Sequence, residues 1–146
     1  MGDRLANLAR AVALIGERAG SAVTVSRPVE TQPWGYSSPN AYLNAAAALD
    51  ADITPRQMLT IIHAIEACME SGSHRDKAGG YADRVIDIDI LTAGDMVTDT
   101  PDLTLPHPLM AQRRFVLEPL AQIAPQWTHP TLRLTAAQLL ARLPRQ

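Results

Sequence analysis

A single cysteine, a single phenylalanine and no long apolar run mark this 146-residue chain at first sight. Cys68 has no second cysteine to pair with, so no internal disulfide can staple the fold. No stretch approaches the roughly 18 apolar residues that a membrane-spanning helix needs, and the N-terminus has no leader pattern. A reducing, cytoplasmic setting is the expectation. Strong charge of either sign is lacking too. A net charge of -2 argues against a broadly basic binder of nucleic acid or membrane surfaces, so any anionic ligand must be held locally. The four histidines, His63, His74, His107 and His129, show no metal-ligand spacing and have no cysteine pair beside them, which argues against zinc.

What is present is a core's worth of apolar residues, 47% of the chain, enough for one domain over residues 1–146 without staples. Asp3 can cap a first helix whose face carries Leu5, Leu8, Val12 and Ile15, with Gly16 and Gly20 bracketing its end. A strand is expected at 22–29, a loop at 30–41, and an extended apolar run at 42–49. Thr54-Pro55-Arg56-Gln57 reads as a capping box that opens a helix with Met58, Ile62, Ile65 and Met69 on one face. Residues 71–83 have paired glycines and no periodicity, which predicts a loop.

A strand over 84–91, a turn at Gly94-Asp95 and an extended crossing fixed by Pro101, Pro106 and Pro108 come next. A helix from Met110 should end or kink at Pro119, and a last one is expected over 135–143. The order helix, strand, strand, helix, strand, helix predicts an α+β sandwich.

The chemistry concentrates in Arg84-Val85-Ile86-Asp87-Ile88-Asp89-Ile90-Leu91. Side chains alternate along a strand, so Asp87 and Asp89 project from one side while the isoleucines face the other. Two carboxylates about 6 Å apart at an effective dielectric near 20 repel by roughly 3 kcal/mol, which calls for a cation between them. Mg²⁺, brought in with substrate phosphates, suits that need. The simpler reading is a solvated strand face, against which stands the poor β propensity of aspartate. His107, held between Pro106 and Pro108, can donate to a phosphate or be an ordinary loop residue. Arg113 and Arg114 can hold an anion or sit in solvent. Trp34, Tyr42 and Phe115 are core candidates that would equally suit a flat heteroaromatic ligand.

Four separated stretches carry a family resemblance: Arg84 to Leu91; Leu105 to Pro108 with Arg113 to Pro125; Glu30 to Gly35; and Tyr42 to Ala46. Taken in chain order, from Gly2 to about Pro125, they resemble the 6-hydroxymethyl-7,8-dihydropterin pyrophosphokinases of folate biosynthesis. The resemblance implies a ferredoxin-like α/β sandwich. It also implies transfer of pyrophosphate from ATP to the pterin hydroxymethyl group, with release of AMP.

It further implies that Asp87 and Asp89 hold two Mg²⁺ ions, and that Tyr42 and Phe115 sandwich the pterin. Asn44 with Thr31, Gln32, Trp34 and Gly35 would read the pterin's polar edge. On the ATP side it points to His63, Glu66, Arg75, Arg84, Ile90, Thr104, His107 and Arg113, with Arg84 and Arg113 stabilising the leaving AMP. Association with other folate enzymes such as dihydropteroate synthase is a further implication.

The chain departs from that pattern in three places. The family's first strand, ending in Gly-Ser-Asn, has no counterpart before Gly2-Asp3-Arg4, which implies a start upstream of Met1. Tyr81 and Asp83 stand where the family usually has tryptophan and proline. The altered loop predicts weaker ATP binding than in a typical member, and the alternative expectation is a catalytically impaired homologue that binds pterin or nucleotide or assembles with a neighbouring folate enzyme. A nucleotide-sugar transferase with an Asp-X-Asp site would need a longer chain.

Overall fold

The computed structural model describes residues 4–31, 42–71 and 86–144. Contacts divide the chain into two compact units, Met1–Val23 with Leu49–Asp89 and Thr24–Ala48 with Ile90–Gln146. The elements in order are α1 (Arg4–Ala19), β1 (Val23–Val25), β2 (Val29–Thr31), β3 (Tyr42–Asn44), β4 (Ala47–Leu49) and α2 (Pro55–Ser71). After them come β5 (Thr98–Thr100), β6 (Leu103–Leu105), a 3₁₀ turn (Met110–Gln112), α3 (Arg114–Ile123) and α4 (Ala136–Arg142). Among the described residues β1 pairs with β4, β2 with β3 and β5 with β6. The α+β class read from the sequence holds.

In the first unit α1 and α2 pack on one another. Ala11, Ile15, Ile65 and Met69 are buried together, with Leu14, Val23, Leu49, Met58, Ile61, Ile86 and Ile88 packed around them. The α2 face is the expected one, whereas the α1 face is rotated. Its buried centre is Ala11 and Ile15, and Leu5 is 58% exposed. Two of the predicted helix signals are realised, while the Asp3 cap lies outside the described residues. The Gln57 amide donates to Thr54 Oγ1 and the Thr54 amide to Gln57 Oε1, the reciprocal pair of a capping box. Gly20, at φ +70°, ends α1 in the left-handed conformation that glycine adopts at least cost, and its amide donates to the Gly16 carbonyl.

In the second unit the core is Ala46, Met110, Leu117, Leu120, Ala136 and Leu139, with Leu91, Trp127, Leu134 and Leu140 among the side chains against it. The α4 helix supplies Ala136 and Leu139, which are fully buried, and starts from a capping box of Thr135 and Gln138. The helix expected from Met110 begins instead at Arg114, after the 3₁₀ turn, and α3 runs through Pro119 to Ile123 rather than ending at the proline. The proline forfeits one backbone hydrogen bond, but its ring is fully buried, and that packing offsets the loss.

Three strand expectations also need correcting. The strand at 22–29 is split into β1 and β2, because the chain between them is tied elsewhere. The Ser26 amide donates to the Ala46 carbonyl, and the Ala46 amide donates back to Ser26 Oγ. The extended crossing expected from Pro101, Pro106 and Pro108 contains an antiparallel hairpin, with Thr98 opposite Leu105, Asp99 opposite Thr104 and Thr100 opposite Leu103. Pro101 and Asp102 form its two-residue turn, a place where a preset proline φ and a short acidic side chain both fit. Finally, residues 86–92 join no ladder. The Ile88 amide is taken by a side chain and the Leu91 carbonyl by the His107 amide, which draws the backbone away from regular pairing.

Candidate functional site

Although 86–90 forms no ladder, its burial alternates with a period of two. Ile86, Ile88 and Ile90 are half-buried, while Asp87 and Asp89 are exposed. Ile86 and Ile88 are fixed by the first unit's apolar cluster, which turns the two carboxylates outward. Glu66, half-buried on α2, supplies the clamp: its Oε2 accepts the Ile88 amide proton at 2.8 Å. The amide between the two aspartates is therefore held by a third acidic side chain. His63 lies one turn earlier on α2 and is exposed. Among the described residues no group of three or more His, Cys, Asp or Glu side chains is arranged to hold a metal ion. Two outward carboxylates match the donor set of an ion that completes its shell with phosphate oxygens and water.

In the second unit β2 and β3 are antiparallel, with Val29 opposite Asn44 and Thr31 opposite Tyr42, and α3 packs against both strands. Thr31, Tyr42, Asn44 and Phe115 therefore stand on neighbouring elements. Phe115, in the first turn of α3, is 37% exposed. The half-buried Arg113, one residue before that helix, places its guanidinium over the Phe115 ring at 5.6 Å from the centroid. This cation–π contact orients the arginine and leaves its N–H fork free to meet an anion. Arg114 instead pairs with Glu118 at 2.9 Å, one helical turn on.

His107 follows a cis Leu105–Pro106 bond and is half-buried. Its Nδ1 accepts the Leu109 amide at 3.3 Å, so in the neutral ring the proton sits on Nε2, which can donate outward. Thr104 Oγ1 donates across the hairpin to Asp99 at 3.2 Å. Ile90, Thr104, His107 and Arg113 all belong to the second unit, whereas His63, Glu66, Asp87 and Asp89 belong to the first. Gln32, Trp34, Gly35, Arg75 and Arg84, like most of the 71–83 loop, lie outside the described residues.

Sequence reasoning did not foresee the Glu66 clamp on Ile88, nor the indole of Trp127, which donates to the Gly94 carbonyl at 2.9 Å. The signal available for Trp127 was its polar tip, since a packed tryptophan usually finds an acceptor.

Comparison with known proteins identifies the pattern. The family model described as 7,8-dihydro-6-hydroxymethylpterin-pyrophosphokinase matches residues 1–125. A Porphyromonas gingivalis protein named 2-amino-4-hydroxy-6-hydroxymethyldihydropteridine pyrophosphokinase is 45% identical over 132 residues, 89% of this chain and 88% of that one. The similarly named Methylorubrum extorquens protein is 40% identical over 126 residues, 86% of this chain and 77% of its own. A folic acid synthesis protein of Dictyostelium discoideum is 38% identical over 115 residues, 79% of this chain but 17% of its own length.

Proposed function

The chain belongs to the 7,8-dihydro-6-hydroxymethylpterin-pyrophosphokinase family, and from that premise we propose how its residues share the reaction. The enzyme transfers pyrophosphate from ATP to the hydroxymethyl group of 6-hydroxymethyl-7,8-dihydropterin in folate biosynthesis and releases AMP. An impaired homologue finds no support in these relatives. The hydroxymethyl oxygen gives up its proton to the medium and bonds to the β-phosphorus, and the bond from that phosphorus to the α,β-bridging oxygen breaks. AMP departs with that oxygen. No covalent enzyme intermediate is needed, so the work is positioning and charge neutralisation.

In this reading residues 1–146 act as one domain. Asp87 and Asp89 would hold Mg²⁺, two ions in all, together with the phosphates of ATP. When bound there, Mg²⁺ would supply neutralisation of phosphate charge and polarisation of the transferred group. The protein's share of that step is to keep both carboxylates turned outward, through the half-buried isoleucines and the Glu66 clamp. Tyr42 and Phe115 take the two faces of the pterin, with Asn44 and the segment Thr31, Gln32, Trp34 and Gly35 at its polar edge. His63, Glu66, Arg75, Ile90, Thr104 and His107 serve the nucleotide. Arg84 and Arg113 neutralise charge growing on the bridging oxygen. Association with other folate enzymes, such as dihydropteroate synthase, fits the occurrence of a similar segment inside the much longer Dictyostelium protein.

The observation that carries the assignment is the alternation at 86–90, which exposes two acids on a stretch whose apolar partners are tucked in. The experiment is an AMP-release assay with ATP, Mg²⁺ and the pterin. Asp87→Ala and Asp89→Ala should each abolish release while leaving pterin affinity unchanged. Retained turnover in either variant removes the metal assignment.

A further inference from the structure

We propose that Trp127 is a positioning residue for the nucleotide side of the site, a role that rests on the assignment of Ile90, Thr104 and His107 to ATP. These three residues belong to one stretch of chain that is closed on itself. It leaves Ile90, passes the turn at Gly94 and the β5–β6 hairpin, and returns at His107, whose amide donates to the Leu91 carbonyl at 2.8 Å. Closing a loop at its ends does not fix its orientation. That requires a point of attachment to something rigid.

Trp127 is that attachment. Its Nε1–H donates to the Gly94 carbonyl at 2.9 Å, at a turn where the Met96 amide closes on the Ala93 carbonyl and Gly94 has φ +59°. The residue is itself immobilised from three directions. Its amide donates to the Ala124 carbonyl, its carbonyl accepts the Ala136 amide, and its ring meets His129 edge-on at 5.7 Å. Its side chain also packs on the buried cluster shared by α3 and α4. The indole therefore acts as a strut from that core to the loop bearing the nucleotide residues. Trp127 lies beyond residues 1–125, where the family model matches, so the match assigns it no role.

The test is Trp127→Phe, which keeps an aromatic ring and removes the donor. In steady-state AMP release the KM for ATP should rise about five-fold, the size expected for one neutral hydrogen bond. The kcat and the KM for the pterin should stay unchanged. An unchanged KM for ATP overturns the proposal, and so does an equal decline of all three parameters, which would indicate general packing. If the phenylalanine variant does not fold, 3-benzothienylalanine at position 127 preserves the indole shape and replaces N–H by sulfur, and it must give the same KM split.

On the unmodified protein, α,β-methylene ATP should shift the Trp127 indole N–H resonance, assigned by its persistence in Trp34→Phe. A stationary resonance at saturation counts against the strut. A wild-type protein that binds the analogue but releases no AMP from ATP strikes the reaction assignment alone.

Discussion

The Glu66 carboxylate accepts the amide proton of Ile88 at 2.8 Å, and Ile88 is the residue between Asp87 and Asp89. An acidic group placed there adds negative charge where two carboxylates already repel. The bond fixes the backbone at Ile88, so that both aspartates keep one outward orientation.

Glu66→Ala should cost about 1.5–3 kcal/mol of stability, the range for a hydrogen bond to a charged acceptor, and should depress AMP release. Glu66→Gln retains an acceptor oxygen and should recover most of the stability. Urea denaturation and turnover on the two variants measure this. Wild-type values for both would show that the carboxylate orders nothing.

Magnesium binding should depend on the nucleotide. Two carboxylates without a third protein ligand hold Mg²⁺ weakly, because the ion surrenders its water reluctantly. Calorimetric titration of the free enzyme with Mg²⁺ should show no saturation, whereas titration in the presence of α,β-methylene ATP should saturate. Chelation of the metal should then abolish turnover without unfolding the protein. Saturable binding by the free enzyme would contradict the two-carboxylate site.

Leu139→Ala should destabilise the protein by about 2–5 kcal/mol, the range for emptying a packed leucine site. Leu139 is 1% exposed and shares its cluster with Met110 and Leu117. Chemical denaturation checks the figure. A cost near zero would mean that α4 adds nothing to the core.

His129 should make stability depend on pH. It is buried, and its Nδ1 accepts the amides of Thr131 and Leu132 at 3.2 and 3.1 Å. A proton on Nδ1 would face two donors, and burial pulls the group's pKa below 6.5. The unfolded chain therefore takes up this proton first. The stabilisation is complete above about pH 6.5 and diminishes as the pH falls toward the lowered folded value. Melting curves of wild type and His129→Asn over that interval should diverge, with the larger decline in wild type.

Features that depend on neighbours in sequence were legible before the structure. The Thr54–Gln57 box, the Gly20 terminus and the outward pairing of Asp87 with Asp89 follow from spacing alone. Features decided by distant partners were not. Sequence gave no sign that Glu66 would take the Ile88 amide, which withdraws the most strand-like segment from any ladder. Pro119 reads as a helix breaker until its burial is counted against one lost bond. The β5–β6 hairpin was legible in Pro101-Asp102 but was masked by nearby Pro106 and Pro108. At the candidate site the residues were proposed from the family resemblance, while their division between two compact units lay beyond any local pattern.

The two-residue rhythm at 86–90 also limits how this region can change over generations. Insertion of one codon between Asp87 and Ile88 would reverse the inside and outside of residues 88–90, driving an acid into oil and isoleucines into water. A two-codon insertion would restore the original facing. Length variants that survive in this stretch should therefore differ by even numbers of residues.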